Sequence, residues 1–318
     1  MIDMATVSVC IVTYNSSEDI SSCLDAVMLQ SQPIEAIIVV DNASSDHSVK
    51  LVQQRMNEGT PIVLYENEIN NGFAGGQNQA IAATNSDYVL VLNPDVVLDS
   101  DYIVHLVNRL EVDPHAGSAT GLLMLKSDPS IVDSTGLHIG SSRHAVDRGA
   151  GQPVAQWFEP GEVFGVSGAA ALYSRRMIDE IMLDGEFFDE QFFAYKEDVD
   201  VAWRARLLGW SAYYVPVATA VHARGWQKEG RRSISLFVRQ HSYVNQLFMM
   251  MKNEQPGWHL IKVIPNVVVR ELSKLLYILL RERELLSSWK LISQAFPSMM
   301  RKRRLLADKI KAKNSSWQ

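Results

Sequence analysis

The apolar residues of this chain fall into short unbroken runs separated by stretches of helical spacing. Residues 7–14, VSVCIVTY, form a β-rich run that Asn15 and Ser16 break. Ser17 and Glu18 then open a segment carrying Ile20, Leu24, Val27 and Met28 on one helical face. The run 36–40, AIIVV, has no polar alternation, which predicts a parallel strand buried on both faces. Asp46 is placed to cap a helix with Val49, Leu51 and Val52. A strand is expected at 61–66, then a glycine-rich turn at 70–76, NNGFAGG, leading into a helix over 77–83. The strand YVLVL at 88–92 stops at Asn93-Pro94-Asp95, because proline cannot donate within an inner strand. A helix follows over 99–110. Strand and helix in alternation predict an open α/β sheet. Such folds bind ligands beyond the carboxyl ends of their strands.

The later pattern changes. Scattered Gly, Ser and Pro over 115–165 predict short antiparallel pieces and loops. SGAAALYSR at 167–175 reads as a strand beside a site, 197–208 as an amphipathic helix opened by acidic residues, and 211–217 as a strand. From about residue 232 to 312 the pattern is helical, starting with 234–251 and broken near Pro256-Gly257, at Pro265 and at Pro297. No repeat is visible. The division expected is an α/β domain over 1–250 and a basic, amphipathic helical region over 251–318.

Charge sharpens that division. Residues 1–223 hold 11 Lys and Arg against 30 Asp and Glu, a net of -19, whereas 224–318 hold 19 against 6, a net of +13. Either the two parts meet different partners or they attract each other. Cys10 and Cys23 have no metal-site spacing and make no disulfide framework, which fits a reducing compartment. The N-terminus lacks the basic region of a secretory signal, and no apolar run reaches the ~20 residues of a membrane span.

Candidate chemistry sits at the strand ends. Asp41 closes the run AIIVV, where a carboxylate can accept from a base imide or a ribose hydroxyl, or simply make a turn. Thr13 and Asn15 end the preceding strand toward the same crevice. Asp95 follows a buried strand, and a carboxylate there suits a hard divalent cation beside phosphates, or a helix cap. Glu197, Asp198 and Asp200 stand at a helix start, where the dipole favours negative charge, and aromatic neighbours can raise the pKa of a general base. Trp203 and Leu207 look like core packing; Arg204 and Arg206 can meet phosphate or local acids. His222 follows a strand, with Gly225 permitting a turn behind it.

Seven motifs in order resemble family 2 glycosyltransferases, which have the GT-A fold, and among these the bacterial rhamnosyltransferases of surface-polysaccharide assembly. They are VSVCIVTYNS (7–16), VVDNASSD (39–46), NNGFAGGQNQA (70–80), VLVLNPDV (89–96), SGAAALYSRR (167–176), FFDEQFFAYKEDVDVAWRARLLGW (187–210) and VHARG (221–225). The resemblance implies a GT-A, Rossmann-like mixed sheet flanked by helices, with a helical C-terminal extension. It implies that Thr13, Asn15 and Asp41 contact base and ribose, and that Asn71, Gly72, Phe73 and Gly76 form a turn against the nucleotide. The family's DxD falls on Asn93-Pro94-Asp95, so Asp95 carries the carboxylate ligation and Asn93 weakens it. His222 matches the histidine that completes a Mg²⁺ or Mn²⁺ site. Ser167 and Gly168 match a loop beside the donor sugar, Asp198 the catalytic base, Glu197 its neighbour, and Trp203 lies toward the acceptor side.

The implied reaction is an inverting transfer from a nucleotide sugar, dTDP-rhamnose first and a UDP-hexose as the alternative, to a glycan or lipid-linked glycan. The implied place is the cytoplasm, peripheral on the inner face of the cell membrane. Beyond residue 250 only composition speaks. Leu272, Leu275, Leu276 and Leu279 form a stripe among basic residues, which suits packing within the chain or a homo-oligomer, or an anionic membrane surface. A nucleic-acid-binding module is the alternative from another class, but the acidic main part and the lack of any recognised motif speak against nucleic acid.

Overall fold

The computed structural model describes residues 5–223 and 234–315, so Gly225 lies outside the described residues. The expected alternation is present: β1 (Val7–Thr13), α1 (Ile20–Met28), β2 (Ala36–Asp41), α2 (Ser48–Asn57), β3 (Ile62–Glu66), α3 (Gly72–Ala82) and β4 (Tyr88–Leu92). There follow β5 (Val96–Leu98), α4 (Tyr102–Glu111), β6 (Ala116–Leu125), β7 (Asp128–Ser134), β8 (Leu137–Ile139), β9 (Ala145–Asp147), β10 (Gly161–Val163) and β11 (Ala170–Ser174). The chain continues through α5 (Arg175–Ile181), α6 (Glu197–Leu207), β12 (Ser211–His222), α7 (Leu236–Asn253), α8 (Leu260–Arg281) and α9 (Ser288–Ser315).

The main sheet runs β10-β12-β6-β11-β4-β1-β2-β3, with β5 on β12 and β7 on β6. β3, β2, β1 and β4 are parallel, β11 is antiparallel between β4 and β6, and β6 is parallel to β12. A mixed sheet flanked by helices and extended by C-terminal helices is the architecture the resemblance implies. Alternate residues of β1 enter different cores. Val7, Val9 and Ile11 pack toward α1 and α4, while Cys10 joins the core toward α3 and α5. Both faces are therefore covered, which explains why these strands show no polar alternation. Each such buried aliphatic side chain stabilises the fold by about 1.5–3 kcal/mol. Both cysteines are buried free thiols.

Several expectations are corrected. The glycines of 70–76 are not a turn preceding a helix, because α3 already begins at Gly72. Gly76 lies against β1, where a Cβ would come within 2.8 Å of the Val12 methyls, so the glycine serves close packing of helix on sheet. Asp46 does not occupy the cap position of α2; its Oδ1 accepts from the Ser48 amide at 2.9 Å, inside the helix start. Residues 116–125 are a ten-residue inner strand, not a short piece, and Gly117 and Gly121 within it accommodate Met177 and Tyr102. α6 is buried almost all round instead of amphipathic. β12 extends to His222, past the expected end at 217. Pro265 and Pro297 break nothing: α8 and α9 run through both.

The C-terminal helices are fastened to the sheet domain by buried charge, and residue 250 falls inside α7. Arg204 of α6, 1% exposed, donates Nε to Asp200 at 2.9 Å and its two Nη groups to the carbonyls of Ile181 and Phe187. Asp200 also accepts from Lys252 (2.9 Å) and Asn253 (2.7 Å) of α7. Lys252 reaches Asp189 at 2.6 Å, and Lys302 of α9 reaches Asp189 and Glu186, each at 2.7 Å. Burial alone would raise the Asp189 pKa, but Lys252 and Lys302 hold it well below the usual carboxylate range. Arg206 pairs with Glu162 at the surface, so both arginines meet local acids. Removing one member leaves a buried uncompensated charge. Lys252→Met is expected to destabilise the protein by about 3–5 kcal/mol, read as a shifted midpoint in urea unfolding.

Candidate active site

The carboxyl ends of β1, β2 and β4 open onto one crevice of about 640 Å³, lined by Asn15, Asn42, Gly72, Phe73, Asn93 and Asp95 among others. A second cavity of about 740 Å³ adjoins it and shares Phe73, Asn93, Asp95 and Ala194 with it. Ser167, Gly168, Glu197, Asp198 and His222 line the second cavity. Asp95 and Asp198 therefore face one space although 103 positions separate them.

Thr13 and Asp41 lie behind the wall of the first crevice. Both are almost fully buried, and Thr13 Oγ1 donates to Asp41 Oδ1 at 2.8 Å while the Ser44 amide donates to Oδ2 at 2.8 Å. The Asp41 carboxylate thus shapes the 41–44 turn, and the crevice is reached by its neighbours. Asn15, at φ 53°, accepts the Ser45 amide at 2.9 Å, and Asn42 donates to the Gly72 carbonyl at 2.8 Å. Gly72 has φ +73°, and a Cβ there would lie 2.4 Å from the Phe193 carbonyl oxygen, so only glycine fits. Asn71 is exposed beside it, and Asn70 accepts the Gly72 amide at 2.8 Å. Gly76 is on the sheet side of α3, away from the crevice.

At the junction of the cavities His222 Nε2 stands 3.2 Å from Asp95 Oδ1, and its Nδ1 is 2.7 Å from Asp133 Oδ2. Burial opposes charge on the imidazole, but the two carboxylates prevail and push its pKa up to about 9. Asp133, on β7, was not singled out from sequence; nothing in the segment SIVDSTG marks it, because its role comes from pairing β7 with β6. Asp198 stands at the N-terminus of α6 and accepts from the Gly168 amide at 3.1 Å and the Val199 amide at 2.7 Å. Burial, helped by Asp147, raises its pKa, and those two donors offset only part of the rise. Glu197 has no such support: burial first, then Asp198, pushes it up to about 8, and its Oε2 has no hydrogen-bond partner among the described residues. Phe73 and Gly168 stand against Asp198: a Cβ on Gly168 would be 3.5 Å from the Phe73 ring and 3.6 Å from Asp198 Cβ.

Trp203 lies in the core instead of the cavity wall, 7% exposed, with its ring 6.5 Å from Phe164 and the Arg143 guanidinium 5.0 Å away. The C-terminal helices also reach the site. Phe237 of α7 lines the first crevice and Ser242 the second. Asn245, fully buried on α7, donates to the carbonyls of Phe192, Ala194 and Tyr195. Those contacts hold the segment before α6, where Phe193, Tyr195 and Lys196 all have φ between 61° and 74°. Non-glycine residues adopt that conformation at a cost of about 1–3 kcal/mol each.

The model of the family described as "Glycosyl transferase family 2" matches residues 8–182, more than half of the chain. The chain belongs to that family and is a glycosyltransferase. Among curated proteins it is 26% identical over 206 residues to the poly-beta-1,6-N-acetyl-D-glucosamine synthase of Staphylococcus aureus, covering 64% of this chain and 47% of that protein. The Staphylococcus epidermidis enzyme of the same name is 23% identical over 213 residues, covering 67% and 48%. The chain thus spans about half the length of the curated relatives it matches. Among solved structures, GalNAc-T7 with UDP, GalNAc and Mn²⁺ superposes with a TM-score of 0.62 at 15% identity, over 79% of this chain and 48% of that one. The Pyrobaculum calidifontis mannosyltransferase PcManGT with GDP-Man and Mn²⁺ gives 0.57 at 17%, over 97% and 86%. S. aureus TarS 1-349 with UDP-GlcNAc gives 0.56 at 17%, over 98% and 91%. At these identities the structures establish the fold.

Glu197 generates a pH prediction. Its folded pKa, about 8, lies above the unfolded value of about 4.3, so the folded state binds the extra proton between those limits and loses stability as pH rises through them. Glu197→Gln should remove that loss, on the order of a few kcal/mol, and flatten stability measured by urea unfolding between about pH 5 and 8.

Proposed function

We propose that this enzyme is an inverting transferase that moves a hexose or N-acetylhexosamine from a UDP-activated donor to a glycan or lipid-linked glycan. The observation that carries the reading is the shared cavity that brings Asp95 and His222 opposite Asp198. The donors named with the similar proteins are UDP or GDP sugars, which favours the UDP-hexose alternative over dTDP-rhamnose. The nucleotide occupies the first crevice, with Asn15 and Asn42 at the base and ribose end, while Thr13 and Asp41 act from behind by fixing the 41–44 turn. Ser167 and Gly168 border the sugar.

The residues at the junction fit a divalent cation. Asp95 and His222 converge on one point, and Asp133 on the far side of the imidazole fixes which nitrogen faces it. Among the described residues no group of three or more His, Cys, Asp or Glu is arranged to hold a metal ion, so diphosphate oxygens and water would complete the coordination, as suits Mg²⁺ or Mn²⁺. Asn93 lies beside them as a neutral oxygen donor. When bound, the metal would neutralise charge on the departing diphosphate.

Asp198 acts as general base. The amides of Gly168 and Val199 hold its carboxylate at the helix N-terminus and favour its charged form against burial. As the acceptor oxygen bonds to the anomeric carbon, the bond from that carbon to the diphosphate breaks and the acceptor proton passes to Asp198. A single displacement inverts the anomeric centre. Phe73 and Trp203 differ in this account: Phe73 borders the reacting centre, whereas Trp203 only supports α6.

The exposed stripe on α8 supports work at an anionic membrane surface. Leu272, Leu276 and Leu279 are 60%, 58% and 43% exposed, so the chain's own packing does not cover them. Lys262 and Arg281 lie on the same helix and complement anionic headgroups. No helix among the described residues is long and apolar enough to cross a membrane.

Three experiments test these readings. With a UDP-sugar found by thermal-shift screening, Asp198→Asn should lower turnover by about 10²–10⁴-fold while nucleotide affinity stays near that of the parent; near-normal turnover would exclude the base. Asp95→Ala should abolish the Mn²⁺ dependence of UDP binding in calorimetry, and unchanged dependence would exclude the metal position. In flotation with phosphatidylglycerol vesicles, Leu272→Glu/Leu276→Glu should release the protein. Flotation equal to the parent's, or a change of oligomeric state alone, would overturn the membrane reading.

A further inference from the structure

A third cavity, of about 400 Å³, opens beside the second and is walled by His144, Lys196, Arg270 and Lys274, with Ser242 and Tyr277 between them. His144, Lys196 and Ser242 line both cavities, so the two spaces join at the residue that precedes Glu197 and Asp198. Among the described residues no carboxylate contributes to its wall. The four basic groups come from separate parts of the chain: His144 from the turn before β9, Lys196 from the left-handed residue before α6, and Arg270 and Lys274 from successive turns of α8. Arg270 uses Nη1 on its neighbour Glu271, and the Lys274 ammonium lies 4.5 Å from the centre of the Tyr243 ring. Lys196 makes no ion pair within 4 Å among the described residues.

Gathering these cations has a cost. Burial first, and then Arg270, Lys196 and Lys274, push the His144 imidazole down to about 4. Burial lowers Lys196 too, with Asp198 opposing and Arg270 adding to the effect. An anion entering that space would be attracted by the charged groups of Lys196, Arg270 and Lys274. Guanidinium and ammonium groups suit phosphate oxygens, the former through a planar fork and the latter as a point charge. The donor diphosphate is already provided for on the Asp95 side. The basic cavity joins the second one at Lys196, beside Glu197 and Asp198, and neither Asp95 nor His222 lines it.

We propose that the third cavity holds a phosphate of the acceptor, so that this enzyme glycosylates a hydroxyl borne close to a phosphate or diphosphate. The proposal rests on the transferase reading and names its acceptor class. Two sources share this chemistry: a sugar carried on a prenyl diphosphate, and a polyol-phosphate chain. Arg270 and Lys274 fix the phosphate from α8, and Lys196 sets its distance from the base, being one residue from Glu197 and two from Asp198.

The test has two parts, both on the full chain. In EDTA, with the metal position disabled, calorimetric titration with pyrophosphate should show binding that Arg270→Gln/Lys274→Gln weakens at least tenfold; equal affinity in parent and variant, or no binding to the parent, overturns the proposal. Lys274→Gln alone serves where the double variant fails to fold, with a smaller loss expected. In transfer assays, farnesyl diphosphate-linked N-acetylglucosamine and a glycerol-phosphate oligomer are compared with their phosphate-free counterparts. The variant should raise KM at least tenfold for the phosphorylated acceptor in use and leave KM for the neutral one unchanged, and whichever phosphorylated compound is used identifies the source. Equal use of phosphorylated and neutral acceptors by the parent overturns the proposal. Failure of any UDP- or GDP-sugar to bind would instead strike the transferase reading, and the pyrophosphate titration would still decide this one.

Discussion

The position of α6 is the constraint on which the rest of the molecule depends. Its first turn carries Asp198, and its second carries Arg204, whose guanidinium is sealed among Asp200 and two backbone carbonyls. A guanidinium so placed tolerates little displacement, because each lost contact leaves a buried polar group without a partner. Asp200 passes the constraint to Lys252 and Asn253 on α7, and Asp189 passes it to Lys302 on α9. Asp198 is therefore held through buried ion pairs by helices that follow the sheet domain in sequence.

That arrangement changes the meaning of the charge asymmetry. Part of the positive excess of the C-terminal region is spent inward. Lys252 and Lys302 meet buried acids, and Arg301 and Lys313 meet Asp184 and Glu180 nearer the surface. Others lie on α8, where Arg270 and Lys274 border the third cavity. Attraction between the two parts and a role toward an external partner are thus different residues' work, not competing explanations of one total.

The parallel half of the sheet was legible because burial on both faces leaves an unmistakable run of apolar residues, as in AIIVV and YVLVL. Positions at strand ends were legible for the same reason: Asp95 and His222 each end a stretch whose direction is fixed. What the pattern concealed is set by long-range pairing. β6 carries small residues, Ala116, Gly117, Ser118, Ala119, that read as loop, yet they suit a strand crowded by Met177 and Tyr102. Asp133 and Asn245 look ordinary in sequence, and only the meeting of β7 with β12 through β6, or of α7 with the segment before α6, gives them tasks. Pro265 and Pro297 misled because a proline removes one helical hydrogen bond, which a long helix on the surface can absorb.

The amide of Asn245 grips three carbonyls of a backbone whose Phe193, Tyr195 and Lys196 are left-handed. The consequence concerns how such enzymes can be recombined. A chimera that joined this sheet domain to another protein's tail, with the seam placed between β12 and α7, would inherit a loop before α6 stripped of its clasp. Exchange of tails between relatives would then succeed only where the incoming helix brings an equivalent amide at the same height.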